Sequence, residues 1–215
     1  MSDDKLTPTE HAIRLGDHLG RVATTYRFRS FGPLWNDAAN AQLRLRRPNP
    51  HIMAAGDAVH VPELIYQEVD RPTDARHRFR AELHPLELKL AFFEWNGTAS
   101  TFVPSEVRID GKEVVAEPSA GALKVIPLEP LADRCALKLG PEELVTRIGF
   151  LQPIDTVAGV RQRLNNLGLR AGDADDPTAL GFRSAVEEFQ CDHHLPVDGK
   201  VGPATRSALA KAHGC

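Results

Sequence analysis

The sequence has no long hydrophobic run and no surplus of positive charge. None of its apolar stretches approaches the ~20 residues of a membrane-spanning helix, so we expect no membrane span. The acidic N-terminus, residues 1–5, is not followed by an apolar segment, which predicts cytoplasmic synthesis without a signal peptide. The formal net charge of −3 disfavours nucleic acid as a partner.

Cysteine is scarce, and the common catalytic signatures do not occur. Cys135, Cys191 and Cys215 are too widely spaced for a disulfide framework or a zinc site. There is no HExxH, GxSxG or P-loop sequence. The neighbouring His193 and His194 would diverge on a short loop, without an evident third metal ligand. We therefore expect a protein that is not an enzyme and binds no metal or cofactor.

The sequence contains enough apolar residues to form several small hydrophobic cores. Its 215 residues are 42% hydrophobic and 26% charged, which fits two or three small domains. The patterns predict an α+β multidomain chain. Its segments are a flexible N-terminus (1–10), a head (11–65), a linker (66–75), a β-rich middle (76–152) and a helical tail (153–215).

The tail carries three amphipathic patterns. Val160, Leu164 and Leu167 are four and three residues apart and share one helix face, and Gly168 follows as a helix stop. Two further apolar patterns, over 185–189 and 204–209, predict a second and a third helix.

A broken repeat joins these helices. Asp175 and Asp176 precede a helix pattern that begins near Phe182, and the Asp198-Gly199 turn precedes another that begins near Thr205.

These residues resemble a known family. The run 163–168, the Phe189-Gln190 pair and the Asp-Gly…Gly-Pro-x-Thr run at 198–205 are similar, in this order, to the peptidoglycan-binding-like domain. The resemblance implies a three-helix module found in cell-wall hydrolases and envelope proteins. It implies these ligand contacts in the tail: Arg163, Asn166, Gln190, Asp198, Gly199, Thr205 and Arg206. The first turn departs from the family, which usually has Asp-Gly in place of Asp175-Asp176 and Thr in place of Phe182.

The head has the order strand, helix, helix, strand. The sequence predicts a strand over 12–15, a Gly16-Asp17 turn, and a helix whose apolar stripe begins at Leu19. A second helix is predicted over 33–45, and a returning strand over 58–61. On the second helix we expect Leu34, Trp35, Ala38 and Leu45 to face inward and Arg44, Arg46 and Arg47 to face water.

That order, together with the runs 15–19 and 56–62, resembles a LysM domain. LysM domains bind glycans that contain N-acetylglucosamine, in a groove between the loop after the first strand and the loop before the last. The resemblance places these residues at that groove: Gly16, Asp17, His18, Leu19, Asn49, Met53, Ala54 and Ala55. Some LysM-like domains instead serve as structural parts of injection baseplates, and both possibilities stay open.

The middle alternates apolar and polar residues with the period of half-buried strands. Such stretches occur at 78–83, 86–90, 106–109, 123–128 and 136–139, with resumed pairing expected at 114–115. Turns are predicted at Asn96-Gly97 and Asp110-Gly111. Short strands at this spacing predict a small β-sandwich.

The order of the three parts resembles proteins associated with bacterial type VI secretion. The leading hypothesis is a non-catalytic protein that binds peptidoglycan or its fragments. A secretion spike, a toxin or an effector is a further candidate partner, and a contractile secretion system could deliver the chain to the periplasm or outside. Two alternatives stay open: an adaptor or baseplate-like component, and an immunity or inhibitor protein for a wall-degrading toxin.

Overall fold

The structure, a computed structural model, is a mixed α/β chain with several small sheets. It describes residues 7–65, 70–78, 86–94, 98, 100, 104–115, 117–118 and 123–215. The helices in these ranges are α1 (Leu19–Thr25), α2 (Gly32–Asn36), α3 (Ala41–Arg46), α4 (Val157–Asn166), α5 (Leu180–Asp192) and α6 (Pro203–His213). No helix in the described ranges is both long and apolar enough to cross a membrane.

The strands in the same ranges form three antiparallel sheets. They are β1 (Thr9–Ala12), β2 (Ala58–Val61), β3 (Leu86–Ala91), β4 (Glu106–Ile109), β5 (Lys112–Glu113), β6 (Glu117–Pro118), β7 (Leu123–Leu128), β8 (Arg134–Leu139) and β9 (Glu142–Arg147). The strand orders are β1-β2 in the head, and β3-β7-β6 and β5-β4-β8-β9 in the middle.

In the head, the two-stranded sheet is covered by α1 to α3. Leu19, Val22, Leu34 and Val59 are at most 1% exposed and belong to one hydrophobic cluster. The first strand is Thr9–Ala12, and the predicted strand over 12–15 was wrong. The register runs to Ala12 opposite Ala58, and Ile13, whose side chain lies in the core, adds a hydrogen bond from its N–H to the Asp57 carbonyl at 2.8 Å.

The second predicted helix of the head is broken in two. Asp37 has a ψ of 140°, which is not helical, and its carboxylate accepts the N–H two residues on at 2.8 Å. A 3-10 turn, Ala38–Asn40, then leads into α3. The restart rotates the apolar face, so that Leu43 is 3% exposed whereas Leu45 is 77% exposed. The expectation that Ala38 and Leu45 face inward was therefore wrong.

Two arginines that were expected to face water are engaged in contacts. The guanidinium of Arg44 donates to carbonyl oxygens at the helix break, including that of Asp37 at 2.8 Å. Arg47 pairs with Asp57 in the head at 2.8 Å and with Asp155, at the start of the tail, at 3.1 Å. The second pair ties the head to the tail.

The middle contains two sheets that share one hydrophobic cluster. Ile126 of β7 lies in that cluster with Val107 of β4 and Leu137 of β8. Side chains from both sheets thus fill one core. The Asp110-Gly111 turn is present, with φ values of 48° and 80°.

The sequence predicted most of the strands of the middle that the structure describes. The stretches 86–90, 106–109, 123–128 and 136–139 are strands. Pairing after the Asp110-Gly111 turn resumes at Lys112–Glu113, ahead of the predicted 114–115, and a hydrogen bond from the Val114 N–H to the Val107 carbonyl at 2.9 Å extends it. Residues 66–69, the segment 79–83 and the Asn96-Gly97 turn lie outside the described residues.

The tail is a three-helix unit. Leu164 of α4, Val186 and Phe189 of α5 and Leu209 of α6 are at most 1% exposed and form its cluster. Gly168 ends the α4 region with a φ of 87°, in the left-handed region that favours glycine. The three predicted helices and this helix stop are confirmed.

Candidate functional site

A pocket opens on the tail where the start of α4 meets the turn before α6. Its volume is about 280 Å³, close to the lower end, ~300 Å³, of small-molecule sites. Its lining combines apolar side chains with two cations and one carboxylate. The lining residues are Asp155, Thr156, Val157, Val160, Pro177, Phe182, Gly199, Lys200, Val201 and Arg206.

The start of α4, on one side of the pocket, is fixed by a cap and a close approach. The hydroxyl of Thr156 accepts the N–H of Gly159 at 2.9 Å and donates to the carbonyl of Pro153 at 2.7 Å. A Cβ at Gly159 would lie 1.9 Å from that carbonyl oxygen, so only glycine fits. This contact sets how the tail leaves the middle.

The turn on the opposite side is held by Gln190. Its Oε1 accepts the N–H groups of Asp198 and Gly199 at 3.0 Å each. Its Nε2 donates to the Asp198 carboxylate at 2.9 Å, the Lys200 carbonyl at 3.0 Å and the Thr205 hydroxyl at 3.1 Å. One buried amide therefore positions the whole turn.

Asp198 is committed to the same turn. Its carboxylate accepts the N–H of Lys200 at 2.9 Å. The hydrogen bonds from that N–H and from the Gln190 amide lower the pKa of Asp198. Gly199 has a φ of 67°, which explains the glycine at this position. The Asp-Gly pair thus shapes the wall of the pocket.

Arg206, on α6, is the distinctive charge of the pocket. Its Nε is buried without a hydrogen-bond partner. Among the described residues, no hydrogen bond or ion pair engages its side chain. Lys200 adds a second cation, while the lining carboxylate of Asp155 is paired with Arg47 at 3.1 Å. The pocket therefore has a cationic character in a chain of net charge −3.

Two predicted ligand contacts are enclosed. Arg163 is 1% exposed and donates to the carbonyls of Cys215 at 2.9 Å, and of Gln152 and Gly159 at 2.8 Å each. Burial lowers the pKa of this guanidinium. Gln190, also 1% exposed, is occupied by the turn. Both side chains are therefore engaged inside the fold, where the prediction had placed them at a ligand.

The other predicted tail residues divide between the pocket and its surroundings. Gly199 and Arg206 line the pocket. Thr205 is 5% exposed and bonds to Gln190, and exposed Asn166 lies 2.9 Å, Nδ2 to Nε2, from His213. Sequence reasoning missed the remaining lining residues. Two sequence features could have indicated some of them. One is a helix-capping threonine before an apolar run, and the other is a lysine directly after Asp-Gly.

The predicted groove of the head is partly covered by the chain itself. The ring of Phe150 lies against Gly16, so closely that a Cβ there would be 2.7 Å from the ring. A Cβ at Gly149 would lie 2.8 Å from the carbonyl oxygen of Gly16 and 3.2 Å from the His18 ring. His18 and Leu19 are 5% and 0% exposed. Gly16, His18 and Leu19, which were expected to line a glycan groove, are therefore buried in this structure.

The other residues of the predicted groove differ in their hydrogen bonding and exposure. The carboxylate of Asp17 accepts the N–H of a residue in its own turn at 2.8 Å, and Asn49 caps its own loop at 2.9 Å. Met53 is 3% exposed and belongs to the core, which removes it as a contact. Ala54 is half-buried and Ala55 is exposed.

His18 has an unusual environment at this interface. Burial is the main cause that lowers its pKa to about 4, and the nearby His51 and Arg21 act in the same direction. Its Nδ1 accepts the N–H of Arg21 at 3.3 Å and so caps α1. The ring is therefore neutral at neutral pH.

Histidines and acidic residues do not gather into a metal site in the described part of the chain, where no group of three potential ligands was found. His193 and His194 are both exposed, and the His193 ring stacks on Phe189 with 4.2 Å between the ring centroids.

Three helices thus surround a small pocket whose lining includes a guanidinium without a hydrogen-bond partner among the described residues. The family model described as "Putative peptidoglycan binding domain" matches residues 154–209, which include α4, α5, most of α6 and the pocket. The chain therefore carries a peptidoglycan-binding domain at its tail. The match does not extend to the head or the middle. No curated protein and no solved structure matches the chain.

Proposed function

We propose that the protein binds peptidoglycan without cleaving it and that the tail pocket is its contact with the wall polymer. The observation that carries this proposal is the coincidence of the matched domain, 154–209, with a pocket that contains a guanidinium lacking an internal partner.

A pulldown with purified sacculi tests binding. The full-length protein should sediment with sacculi, because the domain and its pocket are intact in the whole chain. A control without sacculi measures self-sedimentation. Equal amounts of protein in the two pellets would count against the proposal.

A zymogram tests the non-catalytic part. A gel that contains labelled peptidoglycan should stay uncleared at the position of the protein, with lysozyme as the positive control. A cleared band from the purified protein would overturn this part of the proposal and leave the binding part standing.

The second candidate is an adaptor or baseplate-like component, with the LysM-like head as a structural part. The observation that favours it is the ring of Phe150 against Gly16, which covers part of the loop where a glycan-binding LysM domain would receive its ligand. In this proposal the LysM-like head and the helical tail both make protein-protein contacts, with a secretion spike or toxin as the candidate partner.

The resemblance of the domain order supports a further proposal about cellular context, namely delivery by a type VI or related contractile secretion system. Affinity purification of the tagged protein from native cells tests it. Enrichment of a spike or toxin protein over a tag-only control is expected. Enrichment of cell-wall enzymes alone would contradict it.

A further inference from the structure

We propose that the tail pocket recognises a free carboxylate at the end of a short aliphatic peptide, the chemistry of the peptidoglycan stem peptide, rather than the sugar strand. This inference rests on the proposed function, since it names the part of the polymer that the pocket takes.

The first step of the argument is the charge of Arg206. A buried donor without a partner costs free energy, and a ligand that supplies an acceptor removes that cost. The Nε of Arg206 is such a donor. A guanidinium matches a carboxylate with two parallel hydrogen bonds, which a sugar hydroxyl cannot reproduce.

The second step is the balance of charge around Arg206. Lys200 lines the same pocket, and its backbone is held by Asp198 and Gln190 at 2.9 and 3.0 Å. The carboxylate of Asp155 could have neutralised the site, but it is paired with Arg47 of the head at 3.1 Å. Arg206 and Lys200 therefore give the pocket two cations, of which the Lys200 ammonium also interacts with the Asp198 carboxylate.

The third step is the remaining wall and its size. Val157, Val160 and Val201 give the pocket an apolar side that suits methyl groups. Phe182, the aromatic residue in the lining, is 2% exposed and offers no free ring face on which a sugar could stack. A volume of about 280 Å³ accommodates one or two small residues more readily than a disaccharide.

The test measures displacement of the full-length protein from sacculi by soluble competitors. The competitors are a synthetic stem pentapeptide ending in D-Ala-D-Ala, the same peptide with its carboxyl groups converted to amides, an N-acetylglucosamine oligomer and inorganic phosphate. The free-acid peptide should displace the protein at concentrations at least about tenfold lower than the others, because charge-assisted hydrogen bonds are the strong ones.

Matched variants locate the effect. Arg206→Gln should weaken peptide binding about tenfold or more, as measured by calorimetry. Lys211→Gln removes the same charge from an exposed position of the same helix and should leave binding unchanged. If Arg206→Gln fails to fold, Lys200→Gln, at an exposed position of the same pocket, should lower the affinity instead.

The outcomes separate the two proposals. Retention on sacculi with equal displacement by the acid and amide peptides, or with displacement by the sugar oligomer or phosphate, would overturn the carboxylate inference and leave wall binding standing. Equal loss of affinity in Arg206→Gln and Lys211→Gln would also overturn it. No retention on sacculi would overturn the proposed function itself.

Discussion

At the scale of single residues, Gly159 decides how the tail meets the middle. We expect Gly159→Ala to destabilise the tail by about 1–3 kcal/mol, because its Cβ would lie 1.9 Å from the Pro153 carbonyl and force the backbone apart. Hydrogen exchange at the α4 amides and thermal unfolding of the full chain measure the loss.

Gly181→Ala is the matched control. Gly181 is also helical, but its nearest contact would be the Arg170 carbonyl at 3.5 Å, an ordinary distance. The free energy of unfolding of the Gly181→Ala variant should stay unchanged or rise by up to about 1 kcal/mol, because alanine is more favourable than glycine inside a helix. Equal effects of the two substitutions would contradict the close approach at Gly159.

His18 gives the head a pH dependence. The pKa of His18 is about 4 when folded and 6.5 when unfolded, so only the unfolded chain gains a proton between these values. Above pH 6.5 the protonation of His18 does not affect the free energy of unfolding. As the pH falls from 6.5 towards 4, protonation of the unfolded chain lowers that free energy by roughly 3 kcal/mol. Denaturant unfolding between pH 7 and 4 should show this decline.

The conservative variant His18→Asn separates titration from capping. Asparagine can still accept the N–H of Arg21 at the start of α1 but does not titrate in this range. The variant should lose stability less steeply over the same pH interval. A slope equal to that of the wild type would show that another group carries the effect.

At the scale of elements, the amide of Gln190 joins α5 to the turn before α6. Gln190→Glu should destabilise the tail by about 1–3 kcal/mol, because a carboxylate would face the Asp198 carboxylate and the Lys200 carbonyl without a hydrogen to donate. The amides of Asp198 and Gly199 should exchange faster in solvent, as measured by NMR.

Glu188→Gln is the control for this prediction. Glu188 is exposed on the same helix. Its substitution replaces a carboxylate with an amide, the reverse of the change in Gln190→Glu. Its unfolding free energy should stay within about 0.5 kcal/mol of the wild type. Unchanged exchange at the turn in Gln190→Glu would contradict the role of the amide.

At the scale of the whole molecule, residues at the junction between the middle and the tail also contact the head. The Phe150 ring lies against Gly16, and Arg47 reaches Asp155. Phe150→Ala should loosen this contact and speed hydrogen exchange at Gly16 to His18, because the covering ring is lost.

Phe93→Ala is the control, since Phe93 is 60% exposed and its truncation should not alter exchange in the head. If the adaptor proposal for the head holds, Phe150→Ala should also reduce enrichment of the protein partner. Unchanged exchange at Gly16 in the Phe150 variant would show that the ring does not protect the loop.

The sequence alone determined the helices of the tail and several strands and turns of the middle. Periodicity and a glycine stop predicted α4, and the Asp-Gly turns were evident because their chemistry is local. The resemblance of the tail residues to a known family also indicated the peptidoglycan-binding domain that the family match supports.

Only the tertiary structure decided which side chains remain available. Arg163 and Arg206 are both arginines on tail helices, yet carbonyl groups from distant parts of the chain enclose one and leave the other at a pocket. Gly16 looked open to a ligand until Phe150, far along the sequence, covered it. Local patterns specify backbone conformation, whereas exposure depends on contacts between residues that are distant in sequence, and no local pattern encodes those contacts.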